Sequence, residues 1–142
     1  MTAMGPPILV AATGNDGRTD GFDSPARWDF TLAVGSINKG RSRSSFSNFG
    51  TKLHDQYIMM PGGEEQEGEI TEWVGEANHK CFGTSAAAAY ASGVLALYMS
   101  DTDYQVADRQ LFLENVLSKC QPCENYDPDE HGKGYLAYQP HP

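Results

Sequence analysis

Nothing in this sequence approaches the roughly 20 consecutive apolar residues that a helix needs to cross a bilayer; apolar runs such as residues 8–12 and 86–91 are far shorter. Basic residues are also scarce. Ten lysines and arginines face 19 acidic residues, a formal net charge of -9, which argues against nucleic acid or an anionic membrane surface as partner. Residues 1–7 show none of the basic region, apolar core and small-residue cleavage site of a secretory signal, so the localisation is left open. Three cysteines, an odd number, cannot all pair within the chain and are too few for a disulfide-built scaffold. Cys120 and Cys123 have the spacing of half a zinc site, which His131 or Cys81 could extend. A second cysteine pair is missing, and zinc is not expected there. Internal repeats and low-complexity tracts are absent.

A length of 142 residues with 39% apolar content predicts a single domain over 1–142, with 1–7 as a leader and 120–142 as a partly irregular tail. Residues 8–12 form a short unbroken apolar run ending in Thr13-Gly14-Asn15-Asp16-Gly17, a buried strand entering a glycine-rich turn. Residues 30–37 repeat that form, and 56–60 give a third strand. Runs that do not alternate imply a parallel sheet covered on both faces. Residues 64–76, acidic and glycine-rich, read as a surface loop or short hairpin. Residues 84–99 are the clearest helix, with Thr84 and Ser85 able to cap it; being apolar nearly all round, it is expected to be buried. A second helix is predicted over 105–117 from the stripe Leu111, Phe112, Val116 and Leu117, and residues 134–136 suggest a short strand.

Four segments in fixed order carry a more specific signal than any one of them. They are Val10-Ala11-Ala12-Thr13-Gly14-Asn15-Asp16-Gly17; Thr31-Leu32-Ala33-Val34-Gly35-Ser36 with Ser45-Phe46-Ser47-Asn48-Phe49-Gly50; Ile58-Met59-Met60-Pro61-Gly62; and Gly83-Thr84-Ser85-Ala86-Ala87. Together they resemble the C-terminal half of the subtilisin-like serine proteases, and Gly132-Lys133-Gly134-Tyr135-Leu136 is similar to that family's last turn and strand. The resemblance implies an α/β, three-layer subtilisin-like fold, a mostly parallel sheet flanked by helices and truncated at its N-terminal half. It implies Ser85 as nucleophile, supported by Gly83 and Thr84, and Asn15 as an oxyanion-hole donor. Ala89 and Tyr90 depart from it, standing where the family has a proline and often a histidine.

The implied activity is serine-type endopeptidase action through an acyl-enzyme. A serine hydroxyl needs a base within hydrogen-bond reach and an acid to orient that base. A helix start suits the nucleophile because its N–H groups and partial positive charge meet the developing oxyanion. In the family the aspartate and histidine motifs precede the asparagine strand, and neither is present. His131-Gly132 superficially resembles the histidine motif but follows the serine and matches the terminal turn, so His131 is read as a decoy. His54, His79 and His141 are read as surface histidines. Alone, the chain is expected to be nearly inert, its partners being a protein or peptide substrate and either the missing N-terminal half or a second copy of itself. No cofactor is required. Calcium is compatible with the resemblance, yet no run of carboxylates forms a defined calcium loop. The alternative expectation is a non-catalytic, subtilase-like interaction module.

Overall fold

The computed structural model describes residues 7–50, 56–66, 69–73, 76–101 and 108–140, with the backbone alone for 69–73 and 76–79. Three parallel strands form its centre: β1 (Leu9–Ala12), β2 (Thr31–Ile37) and β3 (Tyr57–Pro61), in that order across the sheet. Leu9 lies opposite Thr31, and Ala33 opposite Tyr57. All seven residues of β2 are buried, as a middle strand with both faces covered requires. Residue parity divides the core. Leu32, Val34, Ile58 and Met60 face one way, and Ala11, Ala33, Ile37, Tyr57 and Met59 the other.

The first face is covered by α1 (Thr84–Ser100), through Ala87, Ala91, Leu95 and Tyr98, and by α2 (Arg109–Leu117). Alanine at two successive turns lets the α1 backbone come close to the strands. The second face is closed by Phe22, Ala26 and Cys123, with Tyr135 packed against them. The short α3 (Pro128–His131) sits there too, its Glu130 carbonyl accepting the Tyr57 hydroxyl at 2.7 Å. A separate antiparallel hairpin, β4 (Glu69–Trp73) with β5 (Glu76–Cys81), leads directly into α1.

Several expectations need correction. Helix α1 is buried on one side only: Tyr90, Leu97 and Met99 are exposed, because its outer face meets no described element. Its N-cap is Gly83, and neither Thr84 nor Ser85 caps it through a side chain. In α2 the inward stripe is Phe112, Leu113, Val116 and Leu117, while Leu111 is exposed; the apolar run allowed two rotations, and packing chose the one that buries Leu113. Residues 105–107 of the expected helix lie outside the described residues. Tyr135 forms isolated bridges with Met59 and Gln121 in place of a strand over 134–136. The hairpin is the one anticipated near residues 64–76, extended through β5 to Cys81.

Candidate active site

The three parallel strands of the central sheet end at the same pole, and the loops leaving β1 and β3 reach the first turn of α1. The loop after β1 passes beneath Thr84. The Gly14 N–H donates to Thr84 Oγ1 at 3.2 Å, and that hydroxyl donates to Asn15 Oδ1 at 2.8 Å. The Thr84 N–H donates to the same oxygen at 2.9 Å. A side chain 69 residues away in sequence thus caps the helix. The turn after β3 supplies the next tie, since the Gly62 carbonyl accepts the Gly83 N–H at 2.9 Å. Gly62 has no room for more: a Cβ there would lie 2.3 Å from Ser36 Oγ and 2.6 Å from the Gly83 carbonyl oxygen.

These bonds fix which end of the Asn15 amide points where. A backbone N–H can only donate, so Oδ1 must face Thr84, and Nδ2 is turned the other way. The whole amide lies against the helix start, with Nδ2 and Oδ1 at 3.6 and 3.7 Å from where a Cβ on Gly83 would sit. In the first turn of α1 the N–H groups of Ala86 and Ala87 reach the Gly83 carbonyl at 3.1 and 3.3 Å. Among the described residues, the N–H of Ser85 has no acceptor, and Asn15 Nδ2 has none either. Ser85 itself is exposed. Exposed Ser85 therefore follows Thr84 at the positive end of a 17-residue helix, where its own N–H and the Nδ2 of the Asn15 amide bound to Thr84 are unspent among the described residues.

The loop carrying Asn15 is held from behind by Asn48, which is fully buried. Its Oδ1 accepts the N–H groups of Asp16 and Arg18 at 3.1 and 2.9 Å, and its Nδ2 donates to the Thr13 carbonyl at 3.1 Å. Buried Ser36, Ser44 and Ser47 tie the end of β2 to the neighbouring turns: Ser47 Oγ accepts the Ser36 N–H at 3.0 Å, and Ser44 Oγ donates to the Gly63 carbonyl at 2.6 Å. Reading the residues had given Asn48 and these serines no role. The available signal was a dense Ser/Asn loop between two buried strands, whose polar groups had to find backbone partners.

The histidines distribute as follows. His131 is buried at the end of α3, accepting the Asp127 N–H at Nδ1 at 3.0 Å and stacking near Tyr126. It belongs to the Tyr57 side of the sheet, opposite the face on which α1 lies. His79 is in β5, its side chain outside the described residues, as are His54 and His141 altogether. Cys81, Cys120 and Cys123 are free thiols. Burial pushes the Cys120 thiol up to about 12 and that of Cys123 to about 11. Among the described residues no group of three or more histidine, cysteine and carboxylate side chains could hold a metal ion.

A parallel sheet between helices, whose strand ends bring a Gly-Thr-Ser helix start against an asparagine amide, defines a subtilisin-like α/β fold. The subtilase family model (peptidase S8) matches residues 3–119, and the chain belongs to that family. It is 39% identical over 117 residues to a subtilisin-like protease of Coccidioides posadasii (strain C735), an alignment covering 78% of this chain and 27% of the relative. Identity to subtilisin NAT of Bacillus subtilis subsp. natto is 34% over 109 residues, covering 72% and 27%. Among solved structures, the epidermin leader peptide processing serine protease of Staphylococcus aureus aligns with TM-score 0.77 at 27% identity over 91% of this chain and 38% of its own. The prenylagaramide maturation protease PagA aligns with TM-score 0.73 at 30% identity, over 92% and 47%. The chain thus spans 27% of the length of these two sequence relatives.

Proposed function

We propose that this chain supplies the nucleophile and the oxyanion hole of a subtilisin-like serine endopeptidase whose aspartate and histidine come from outside these 142 residues. The supporting observation is the pair of donors, the Ser85 N–H and Asn15 Nδ2, unpaired among the described residues at the helix start that carries exposed Ser85. Ser85 Oγ attacks the scissile carbonyl and passes its proton to the histidine. The carbonyl oxygen takes the negative charge between the two donors. The C–N bond then breaks, the amine leaves with that proton, and water hydrolyses the acyl-enzyme.

His131 stands on α3, tied to Tyr57 on the face of the sheet away from α1, and is not the base in this reading. On the same reading the isolated chain is nearly inert, keeping only the weak catalysis that oxyanion stabilisation and binding provide. The test is fluorophosphonate labelling of the longer parent chain, or of this chain mixed with a polypeptide bearing the Asp and His motifs. Labelling at Ser85, abolished by Ser85→Ala, is the expected result; an unmodified Ser85 in both settings defeats the reading. A second reading, a non-catalytic interaction module, draws on the sheet edge: among the described residues β1 pairs with β2 alone, Leu9 is exposed, and so are Tyr90 and Leu97 of α1. Retained partner binding by the Ser85→Ala protein, with no labelling of the wild type, would favour it.

A further inference from the structure

We propose that Ser44, with Ser36 behind it, is a positioning residue for the nucleophile, acting through the turn after β3 on the start of α1. This rests on the reading of Ser85 as nucleophile. Ser36, near the end of β2, and Ser44, in the loop that follows, are both fully buried. Their hydroxyl oxygens lie 2.7 Å apart, and Ser44 Oγ donates to the Gly63 carbonyl at 2.6 Å. A hydroxyl carries one hydrogen, and a carbonyl can only accept. The Ser44 proton is therefore committed to Gly63, and Ser36 must donate to Ser44. The relay runs in one direction, from β2 through the loop to the turn.

A Gly-Gly turn does not hold its own shape, because glycine adopts φ of either sign at little steric cost; Gly63 stands at φ 74°. Its shape is imposed by its partners. The N–H groups of Gly62 and Gly63 share the Ile37 carbonyl, at 3.1 and 3.2 Å, and the relay holds the Gly63 carbonyl. Next along the chain, Glu64 accepts the N–H and hydroxyl of Ser45 at 2.9 and 2.8 Å, so two consecutive serines of one loop grip the other. What the turn carries is the Gly62 carbonyl, bound to the Gly83 N–H at 2.9 Å. Gly83 is the N-cap of α1, two residues before Ser85. A displaced Gly62 therefore displaces the helix start, and a nucleophile misplaced by about 1 Å can lose about 100-fold in rate.

The test uses the protein in whichever form reacts with the fluorophosphonate, measuring for each variant the limiting labelling rate kinact, the probe constant KI and the denaturant midpoint. Ser44→Ala is expected to lower kinact by about 10-fold with KI unchanged. Ser44→Cys, which fills the same space with a weaker donor, falls between Ser44→Ala and the wild type. Ser36→Ala keeps the bond to Gly63 but removes its support, and gives a smaller fall than Ser44→Ala. Leu113→Ala, a core change on α2, lowers the midpoint while labelling at the wild-type kinact, which separates positioning from stability. A wild-type kinact in Ser44→Ala, or a fall in Leu113→Ala as large as in Ser44→Ala, overturns the relay while leaving Ser85 as nucleophile. Should Ser44→Ala not fold, Ser36→Ala is read in its place: a lowered kinact supports the relay and an unchanged one overturns it. Failure of the wild type to label in any form instead removes the nucleophile, and the relay's role with it.

Discussion

Asn15 accepts from Thr84 through Oδ1 and, in the proposed reading, donates to the oxyanion through Nδ2, and substitution can separate the two. In Asn15→Asp an oxygen still accepts from Thr84, so thermal stability stays close to wild type, but the donor is lost and a negative charge faces the oxyanion. Turnover should fall by about 10² to 10³, a magnitude borrowed from the loss of a single such donor in subtilisin itself. Asn15→Leu should lose the same turnover and also the cap on Thr84, at a further cost of about 1 kcal/mol in a urea melt. The resemblance pointed to Asn15 through its motif, yet its orientation was not legible. That orientation is set by Thr84, 69 residues away, and only folding brings the two together. The thiols give a second residue-level expectation. Burial raises Cys120 and Cys123 from an ordinary 9.0 to about 12 and about 11. Above pH 9 the unfolded chain sheds these protons while the folded chain keeps them, so the unfolded state binds fewer protons and stability declines as pH rises. The denaturant midpoint should drop between about pH 9 and 11, and Cys120→Ala with Cys123→Ala should flatten that decline.

Elements were legible where pattern alone decides them and obscure where packing does. β2 and β3 were legible as strands covered on both faces, with no alternating polar side, whereas β1, expected to be buried, has Leu9 exposed and only Ala11 fully buried. The inward face of α2 was not legible, since Leu111, Phe112 and Leu113 stand together and any rotation buries some of them. The structure makes a sharp contrast: Leu113→Ala should cost about 2–5 kcal/mol and Leu111→Ala under about 0.5 kcal/mol, read as shifts in denaturant midpoint. Helix α3 carried a readable signal in Asp127-Pro128, a cap followed by proline at the first helical position. The loop elements matter most to the site. Asn48→Ala leaves the Asp16 and Arg18 N–H groups without their partner and the Thr13 carbonyl with the Asp23 N–H alone, which should cost about 3 kcal/mol. It should also slow labelling of Ser85 more than that loss of stability explains.

At the scale of the whole molecule, one flank of the sheet is unlike the other. Beyond β3, Tyr135 bridges Met59 and the tail closes over it, whereas among the described residues β1 has a neighbour on one side only. Unpaired backbone along a strand edge, next to exposed Leu9, Tyr90 and Leu97, invites pairing. The isolated chain should therefore scatter light as an oligomer at micromolar concentration, and Leu9→Lys with Tyr90→Lys should shift it toward monomer. A monodisperse wild-type monomer would argue that this flank is not adhesive. Family membership was legible because four motifs survive in order, even though Ala89 and Tyr90 depart from the pattern. Both lie on the exposed outer side of α1, where no described core contact constrains them.

The Asn15 clamp also sets how the site responds to heat. The two hydrogen bonds that orient the amide are the ones that keep the first helical turn from fraying, so warming that loosens this turn misaligns both donors at once. Loss of activity on heating should then run ahead of the cooperative melt of the sheet and recover on cooling, a reversible local failure at the pole where the strands end.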